Sequence, residues 1–189
     1  MIPAMVRPLA ALVLVLSLAR ATAAQPPGAS SRASSSELSG AYSFLHDPRD
    51  DLNLPVGWVA GATAPLSPWL SIAGEAGGSH RTVSGYGSDF SLSVLSAMAG
   101  PRASVRIGRF TEFVQVLAGV VRGSGSGFGV TTANTAFGVQ TGIGLDYPLT
   151  SHLAGRVQFD ARFLRGRSDG AAPGDQFRTL TGLVYKFHQ

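Results

Sequence analysis

The segment "RVQFDARF" at residues 156–163 alternates charged or amide side chains with apolar ones without a break. A period of two residues is that of a β-strand, whose successive side chains point to opposite faces. The fold therefore depends on which environment the polar row faces and which environment the apolar row faces. The polar row is Arg156, Gln158, Asp160 and Arg162, and the apolar row is Val157, Phe159, Ala161 and Phe163.

Similar alternation recurs along the chain in segments of about ten residues, each bounded by turn-forming residues. Heptad and 3.6-residue patterns are missing, so the sequence predicts an all-β fold. The eight predicted strands are 37–46, 53–64, 69–79, 90–107, 112–122, 134–147, 152–164 and 177–187.

Two of these segments carry further expectations about phase. In the second strand, the pattern places Leu54 in the same apolar row as Trp58. In the fourth, the alternation is clear only from Arg102 onward, and Gly100-Pro101 indicates a bulge that changes the phase.

The connections between the predicted strands alternate between long and short. This sorting is typical of an up-and-down meander whose two ends face different compartments, with short turns on the periplasmic side. The short connections are 65–68, 108–111 and 148–151, and the long ones are 47–52, 80–89, 123–133 and 165–176.

The polar rows indicate which solvent surrounds the barrel. Several of them consist of Gly, Ala, Ser and Thr, which suit a narrow interior better than a solvated face. A sheet crosses a bilayer only as a closed cylinder, and tilted strands of about 10 residues suffice to span it. We therefore predict a transmembrane antiparallel up-and-down β-barrel of eight strands, with short periplasmic turns and longer outer loops. The alternative is a secreted soluble barrel that binds a lipid-like ligand inside.

The N-terminus has the pattern of an export signal. Arg7 precedes an apolar run at 9–19, and small residues lead to Ala24. The run is about half the length of a spanning helix, so we expect cleavage near Ala24 rather than an uncleaved anchor. The sequence then predicts a signal peptide at 1–24, a flexible linker at 25–36 and the barrel at 37–189.

The C-terminal segment "TGLVYKF" resembles the signal that the outer-membrane assembly machinery reads, through Gly182, Tyr185 and Phe187. With "GPRASVR" at 100–106 and "GLDYPLTSHLAGRVQFDARF" at 144–163, residues 37–189 resemble the small outer-membrane β-barrel family typified by outer membrane protein X and the transmembrane domain of outer membrane protein A. The resemblance implies a porin-like barrel in the outer membrane of a Gram-negative bacterium, exported through a cleaved signal peptide. It leaves function open, because the family includes anchors, adhesins, serum-resistance factors and lipid-modifying enzymes.

An eight-stranded barrel is just wide enough for its own side chains to fill. We therefore expect the inward polar residues to form a paired network, with a narrow anion-preferring pore along the arginines as the alternative. The predicted lumen network is Glu75, Arg102, Arg106, Gln115, Gln140, Arg156, Gln158, Asp160 and Arg162.

Two further sets of residues belong to the predicted outer surface. Aromatic and apolar side chains facing lipid are expected at Trp58, Trp69, Phe137, Tyr147, Phe159 and Phe163. Contacts with lipopolysaccharide phosphates are expected at Arg49, Arg81, Arg122, Arg165 and Arg167.

Composition narrows the function classes. Charged residues make up 14% of the chain, the net charge is +4 and cysteine is missing, so no basic nucleic-acid surface and no thiolate metal site are expected. We expect no cofactor, no metal and no catalytic residue, and a monomer. The enzymatic alternative is a lipid A-modifying site at Ser79-His80, with Asp89 or Glu75 as its acid.

Overall fold

A computed structural model describes residues 35–47, 52–85, 88–127, 130–166 and 176–187. The predicted signal peptide and almost all of the linker lie outside these residues. Within them, no helix is long and apolar enough to span a membrane. The strands are β1 (Glu37–Asp47), β2 (Leu52–Leu54), β3 (Val56–Pro65), β4 (Leu70–Gly85), β5 (Ser88–Ile107), β6 (Phe110–Gly127), β7 (Val130–Pro148), β8 (Leu153–Gly166) and β9 (Gln176–Lys186).

The strands close into a single barrel. From β3 to β9 each strand pairs antiparallel with the next, and β1 pairs with both β3 and β9. The closing seam between β1 and β9 runs from Glu37 opposite Lys186 to His46 opposite Phe177. Because β2 and β3 are successive parts of one wall strand along β1, the wall has eight strands, as predicted.

The two ends of the barrel differ. At one end, here called the turn end, the connections are 66–69, 108–109 and 149–152, which confirms the three short turns. The first is closed by hydrogen bonds from the amides of Leu66 and Ser67 to the Leu70 carbonyl. In the second, Gly108 has a φ of 61°, a left-handed conformation that favours glycine. The opposite end is called the loop end.

At the loop end two of the predicted long connections, 80–89 and 123–133, are largely strand, so the predicted bounds of the strands on either side of them are wrong. The ladder between β4 and β5 continues to Gly85 opposite Ser88, and that between β6 and β7 continues to Gly127 opposite Val130. Each added pair extends an existing ladder and shortens the loop that must be closed, and the local Thr and Val suit strands. The four strands β4–β7 are therefore 16 to 20 residues long, against 14 in β8 and 11 in β9.

The alternating rows face the directions that the lipid-facing interpretation requires. In β8, Arg156 and Asp160 point inward and are 5% and 3% exposed, while Phe159 and Phe163 point outward and are 56% and 47% exposed. Across the described residues, twenty-six large apolar side chains are exposed on the outside. So much apolar surface exceeds what a soluble monomer shows to water, which argues against the soluble alternative.

The wall strand formed by β2 and β3 contains a bulge at Pro55. Tyr42 pairs with Trp58 and Leu45 with Leu54. An advance of three residues along β1 therefore corresponds to an advance of four residues along the neighbouring wall strand. The extra residue reverses the alternation, and Leu54 turns inward, where it is 1% exposed. The prediction that Leu54 shares the outward row of Trp58 is therefore wrong.

No bulge occurs at Gly100-Pro101, contrary to the prediction. Ala99 pairs with Ala118 and Arg102 with Gln115, so an advance of three residues along β5 corresponds to three residues along β6. The alternation between inward and outward side chains therefore continues unchanged through Gly100 and Pro101. Pro101 lies in the outward row and is exposed. The irregular appearance of this strand arises because its inward row mixes apolar and polar residues.

The lumen is filled in layers. Polar side chains occupy its middle, and an apolar cluster packs beside them. On β6 and β8 the apolar residues come after the polar ones in the direction of the loop end. The cluster consists of Ala73, Met98, Leu117, Val121, Ala136 and Leu164.

Candidate functional site: the polar lumen and the barrel rim

Glu75 of β4 is the hub of the lumen. Its Oε1 accepts hydrogen bonds from the side-chain amides of Gln115 at 2.8 Å and Gln158 at 3.0 Å. Its Oε2 accepts from Gln140 at 3.1 Å and from Arg178 at 2.5 Å. Four donors from four different strands therefore converge on one carboxylate, which ties β4 to β6, β7, β8 and β9 across the barrel.

Asp160 and Arg178 form a second, directly coupled pair. They face each other across β8 and β9, and the Nε and Nη2 of Arg178 donate to Asp160 Oδ2 at 2.9 and 2.6 Å. The amide of Gln158 also donates to both oxygens of Asp160, at 2.9 and 3.1 Å. Charge-assisted bonds of this kind are the strong ones, and they leave both charges compensated away from water.

Nearer the turn end, an aromatic ring lies between two arginines. The guanidinium carbons of Arg102 and Arg156 are 4.3 and 4.6 Å from the centroid of the Phe113 ring. Arg156 also binds Asp146 through two hydrogen bonds of 2.7 and 2.8 Å. Gly144 makes room for the ring, because a Cβ there would lie 2.2 Å from Phe113 Cζ.

Arg102 and Arg156 are linked to the rest of the lumen as well. Arg102 donates two hydrogen bonds to the side-chain oxygen of Gln115, at 3.0 and 2.7 Å, and one to Thr63 Oγ1 at 3.2 Å. Arg156 donates to Glu37 at 3.2 Å, and Lys186 pairs with the same carboxylate at 3.4 Å. The charged layers are thus continuous from the turn end to the middle of the barrel.

Arg162 differs from the other buried arginines. It donates to the side-chain oxygen of Gln140 at 3.2 and 3.0 Å and to Ser96 Oγ at 3.4 Å. Among the described residues, its hydrogen-bond partners are neutral and no carboxylate oxygen lies within 4.0 Å of it. It is nevertheless 2% exposed.

The rim at the loop end carries two outward arginines. Arg122 on β6 is paired with Thr135, and Arg165 on β8 is paired with Phe137, so the two arginines flank β7. Both are exposed. From the strand spacing and the two-residue offset, their Cα atoms are about 12 Å apart.

The seam that closes the barrel is tight at Gly182. A Cβ at this position would lie 2.2 Å from the Gly40 carbonyl oxygen and 2.5 Å from Ala41 Cα. Farther along β9 and outside, Tyr185 and Phe187 make an edge-to-face contact with ring centroids 5.1 Å apart. The amide of Phe187 donates to the Ser36 carbonyl at 2.9 Å, which extends the seam beyond the strand.

A family model for the outer membrane protein beta-barrel domain matches residues 9–187. The chain belongs to this family. The structure of Ail, the attachment invasion locus protein of Yersinia pestis, in complex with the heparin analogue sucrose octasulfate is similar to this barrel at 18% sequence identity. It matches with a TM-score of 0.57 over 81% of this chain and 97% of Ail. Neisserial surface protein A is similar at 13% identity, with a TM-score of 0.62 over 80% of this chain and 96% of that chain. No curated protein sequence matches.

Of the predicted lumen residues in this outer-membrane barrel, Arg106 departs from the network. It has the inward phase of β5, but it lies one residue before the strand ends and is exposed, with its Nε donating to the Gly108 carbonyl at 3.4 Å. The alternation shows which face of the strand a residue occupies but not how far along the barrel axis it lies. At the height of Arg106 the lumen is already open to water. The structure joins by hydrogen bonds the other predicted residues, Glu75, Arg102, Gln115, Gln140, Arg156, Gln158, Asp160 and Arg162.

Sequence reasoning missed four members of the lumen of this barrel. Arg178 occupies the same row as Gly182 in β9, opposite the aromatic row, so its inward direction was available from the pattern. Asp146 lies in the polar row of the sixth predicted strand and Glu37 in that of the first, at their turn ends. Nothing in the sequence distinguishes Phe113, because an inward aromatic residue needs the opposing Gly144, which only the strand pairing brings next to it.

The predicted lipid-facing residues Trp58, Trp69, Phe137, Tyr147, Phe159 and Phe163 are all exposed on the outer wall. Trp69 and Tyr147 lie at the turn end, as expected for an interfacial girdle. Phe159 differs, because it lies in the middle of β8 opposite Ile143 rather than near a strand end. Its position is that of a residue in the hydrocarbon region rather than the girdle.

The predicted rim arginines divide into three groups. Arg122 and Arg165 point outward, as described above. Arg81 has the inward phase of β4, and its Nη1 donates to the Asn53 carbonyl at 2.9 Å, which ties β4 to β2 and turns the guanidinium away from lipid. Arg49 and Arg167 lie outside the described residues.

Ser79 and His80, the residues considered for catalysis, do not pair with each other. Ser79 points into the lumen and is 7% exposed, whereas His80 points outward, because neighbours on a strand face opposite sides. His80 contacts Ser93 Oγ at 3.1 Å and Thr82 Oγ1 at 3.0 Å instead. Glu75 belongs to the lumen hub, and the side chain of Asp89 lies outside the described residues. Among those residues, no group of His, Cys, Asp and Glu could hold a metal ion.

Proposed function

We propose that the chain is an integral outer-membrane protein of a Gram-negative bacterium whose role is structural or surface-interacting, with its turn end in the periplasm. The observation that supports this most strongly is the hub at Glu75, where donors from four strands meet in the middle of the lumen. Such cross-links stabilise the wall and occupy the space through which a solute would move.

A narrow anion-preferring pore is the alternative that the arginines suggest. An open path would need guanidinium groups facing a continuous water-filled space. Instead, Arg102, Arg156 and Arg178 are engaged by Gln115, Asp146 and Asp160. Apolar residues of the cluster, Leu117 and Val121 on β6 and Leu164 on β8, follow these groups toward the loop end. These contacts favour a sealed barrel.

The test is a pair of measurements on the full-length protein. A folded barrel should fractionate with outer membranes and change its gel mobility on boiling. The same preparation should give no large, reproducible conductance in planar bilayers. A steady conductance that varies with substitutions at Arg102 or Arg178 would favour the pore.

We also propose that the barrel has no enzymatic activity on lipid A. The inward Ser79 and outward His80 support this, because they cannot act on one substrate from the same side. Expression should leave the mass of lipid A unchanged. A mass shift that disappears in H80A would contradict the proposal.

The outer rim supplies the surface-interaction part of the proposal. Arg165 is paired with the outward Phe137, and Arg122 is paired with Thr135, two residues nearer the loop end along β7. Both arginines thus lie at the loop-end border of the outward apolar surface. Guanidinium groups bind phosphates with paired hydrogen bonds, so we propose that these two arginines contact lipopolysaccharide.

Lipopolysaccharide contact can be tested with a matched arginine at the opposite end of the barrel. In nanodiscs that contain lipopolysaccharide, R122A/R165A should retain several-fold less of it than the unchanged protein. R109A, which alters an exposed arginine in a turn-end loop, should retain the normal amount. Equal retention by both variants would contradict the assignment.

The last part of the proposal concerns assembly. Gly182, Tyr185 and Phe187 lie on β9, the strand that closes the barrel against β1. We propose that the assembly machinery of the outer membrane recognises this strand before closure, while its edge is still available for pairing.

A further inference from the structure

A small polar cavity lies in the lumen beside the hub. Its volume is about 10 Å³, which is the order of room needed by one water-sized particle. It is lined by three serines, two arginines and two glycines, with Leu45, Trp58 and Val94 beside them, and no carboxylate lines it. The residues that matter to the argument are Ser43, Ser79, Ser96, Arg162, Arg178 and Gly77.

One wall of the cavity is an unsatisfied hydroxyl. Ser43 is 1% exposed, and its Oγ has no hydrogen-bond partner among the described residues. Ser43 Oγ and Ser79 Oγ would lie 2.4 and 2.6 Å from a Cβ at Gly57, so the two hydroxyls pack against the bare Cα of this glycine and lie within 5.0 Å of each other. A buried hydroxyl without a partner is costly, and a second hydroxyl this close can bind the same ligand.

Two cations also line the cavity. Arg162 has only neutral partners, the side chains of Gln140 and Ser96, and its hydrogen bonds use Nε and Nη2. Arg178 likewise uses Nε and Nη2 for its carboxylates, and its Nη1 would lie 3.6 Å from a Cβ at Gly77, beside the cavity. Each guanidinium therefore has an Nη1 group with no hydrogen bond to a described residue.

The charges of the surrounding network are unevenly paired. The network contains four buried arginines, four carboxylates and Lys186, whose side chain is 25% exposed near the turn end. The buried charges are equal in number, but each carboxylate lies within 4.0 Å of Arg102, Arg156, Arg178 or Lys186, and Arg162 alone among these described residues has no carboxylate within that distance.

We infer that this cavity binds one small monovalent anion of the size of chloride, held by Arg162, Arg178 and the hydroxyls of Ser43 and Ser79. Buried charges in proteins are paired, and an anion here completes the pairing of Arg162 while it accepts the hydrogen bond of Ser43. A water molecule would satisfy the hydroxyl but would leave Arg162 without a direct counterion.

The test uses the full-length protein folded in nanodiscs, with chloride itself as the probe. Urea unfolding is compared in sodium chloride and in sodium gluconate of equal ionic strength, because gluconate is too large for the cavity. For a site half-filled at about 10 mM chloride, about 300 mM should shift the unfolding equilibrium by a factor of about 30. R162Q should lose this shift and S43A should reduce it several-fold. S39A, which alters a serine in the same inward row of β1 away from the cavity, should retain it.

Two results would overturn the inference. One is the same unfolding midpoint in chloride and gluconate for the unchanged protein. The other is an equal chloride response in R162Q, which would assign the response to the solvent in general. If R162Q does not fold, bromide anomalous diffraction decides instead, since a bromide peak between Arg162 and Arg178 supports the site and a water molecule alone in the cavity overturns it.

Discussion

At the scale of single residues, Glu75 stands out because several donors depend on it. Two glutamines bind one of its oxygens, and a third glutamine and Arg178 bind the other. Removing one partner of a buried ionic network leaves the remaining charges uncompensated, which costs far more than an exposed ion pair contributes. The stability of the barrel should therefore be unusually sensitive to this one carboxylate.

The first prediction concerns this carboxylate. E75Q keeps the shape of the side chain but presents an amide to donors that need an acceptor, so the free energy of unfolding should fall by about 3 kcal/mol. Urea titration of the protein in lipid vesicles measures it. E112Q, a carboxylate change outside the network, should shift the midpoint little, and equal effects of the two substitutions would refute the role of Glu75.

The second prediction concerns Gly144. G144A places a methyl group 2.2 Å from Phe113 Cζ and forces the ring out of its position between Arg102 and Arg156. We expect a loss of about 1–3 kcal/mol in unfolding free energy, the usual effect of overpacking. G155A is the matched control, because its Cβ would meet only Leu149 Cδ1 at 3.9 Å. Adding F113L to G144A should recover most of the loss.

At the scale of elements, the seam between β1 and β9 is the last contact needed for closure. Two glycines of this seam, Gly182 on β9 and Gly40 on β1, differ sharply in the room around them. A Cβ at Gly182 would meet the Gly40 carbonyl at 2.2 Å, whereas a Cβ at Gly40 has nothing within 4 Å. Close packing against β1 therefore explains why position 182 is a glycine, apart from any part that this residue plays in the C-terminal signal.

The third prediction uses that difference. G182A should reduce the fraction that reaches the heat-modifiable form on refolding into detergent micelles, because the added methyl separates the closing strands. G40A, on the other side of the same seam, should refold normally. Since purified protein refolds without the assembly machinery, a normal yield for G182A would show that this glycine acts through recognition alone.

The strands also show what could be read from the sequence and what could not. Alternation identified the inward face of β8 correctly because every residue in 156–163 follows it. It did not identify the height of a residue along a tilted strand, which is why Arg106 lies in open water while Arg178 is buried. The reversal at Pro55 and the extension of β4–β7 depend on register with neighbouring strands, which one segment does not contain.

At the scale of the whole molecule, the barrel is inside-out relative to a soluble protein. Its buried interior is charged and amide-rich, and its outer wall is apolar. A closed wall leaves no strand edge within the bilayer, and lipid replaces water as the surrounding apolar phase. Composition, alternation and the sorting of connections together were enough to predict this arrangement, because each depends on the solvent that surrounds the fold.

The fourth prediction tests this arrangement directly. The chain has no cysteine, so single spin labels can be attached without background. A label at F159C should be relaxed by oxygen in the bilayer and be protected from a water-soluble nickel reagent. A label at S39C, on the inward row of β1, should be protected from oxygen. The opposite pattern would mean that the apolar row faces inward.

The unequal lengths of the strands give the barrel a raised side. At about 3.3 Å per residue and a tilt of about 45°, the 20 residues of β5 rise about 47 Å, whereas the 14 residues of β8 rise about 33 Å. With the hydrocarbon layer about 30 Å thick, β8 ends near the headgroups and the β4–β7 half stands about a dozen ångströms higher. With the turn end in the periplasm, as proposed, an antibody added to intact cells should reach the described residues of the β4–β7 flank more readily than those of β8.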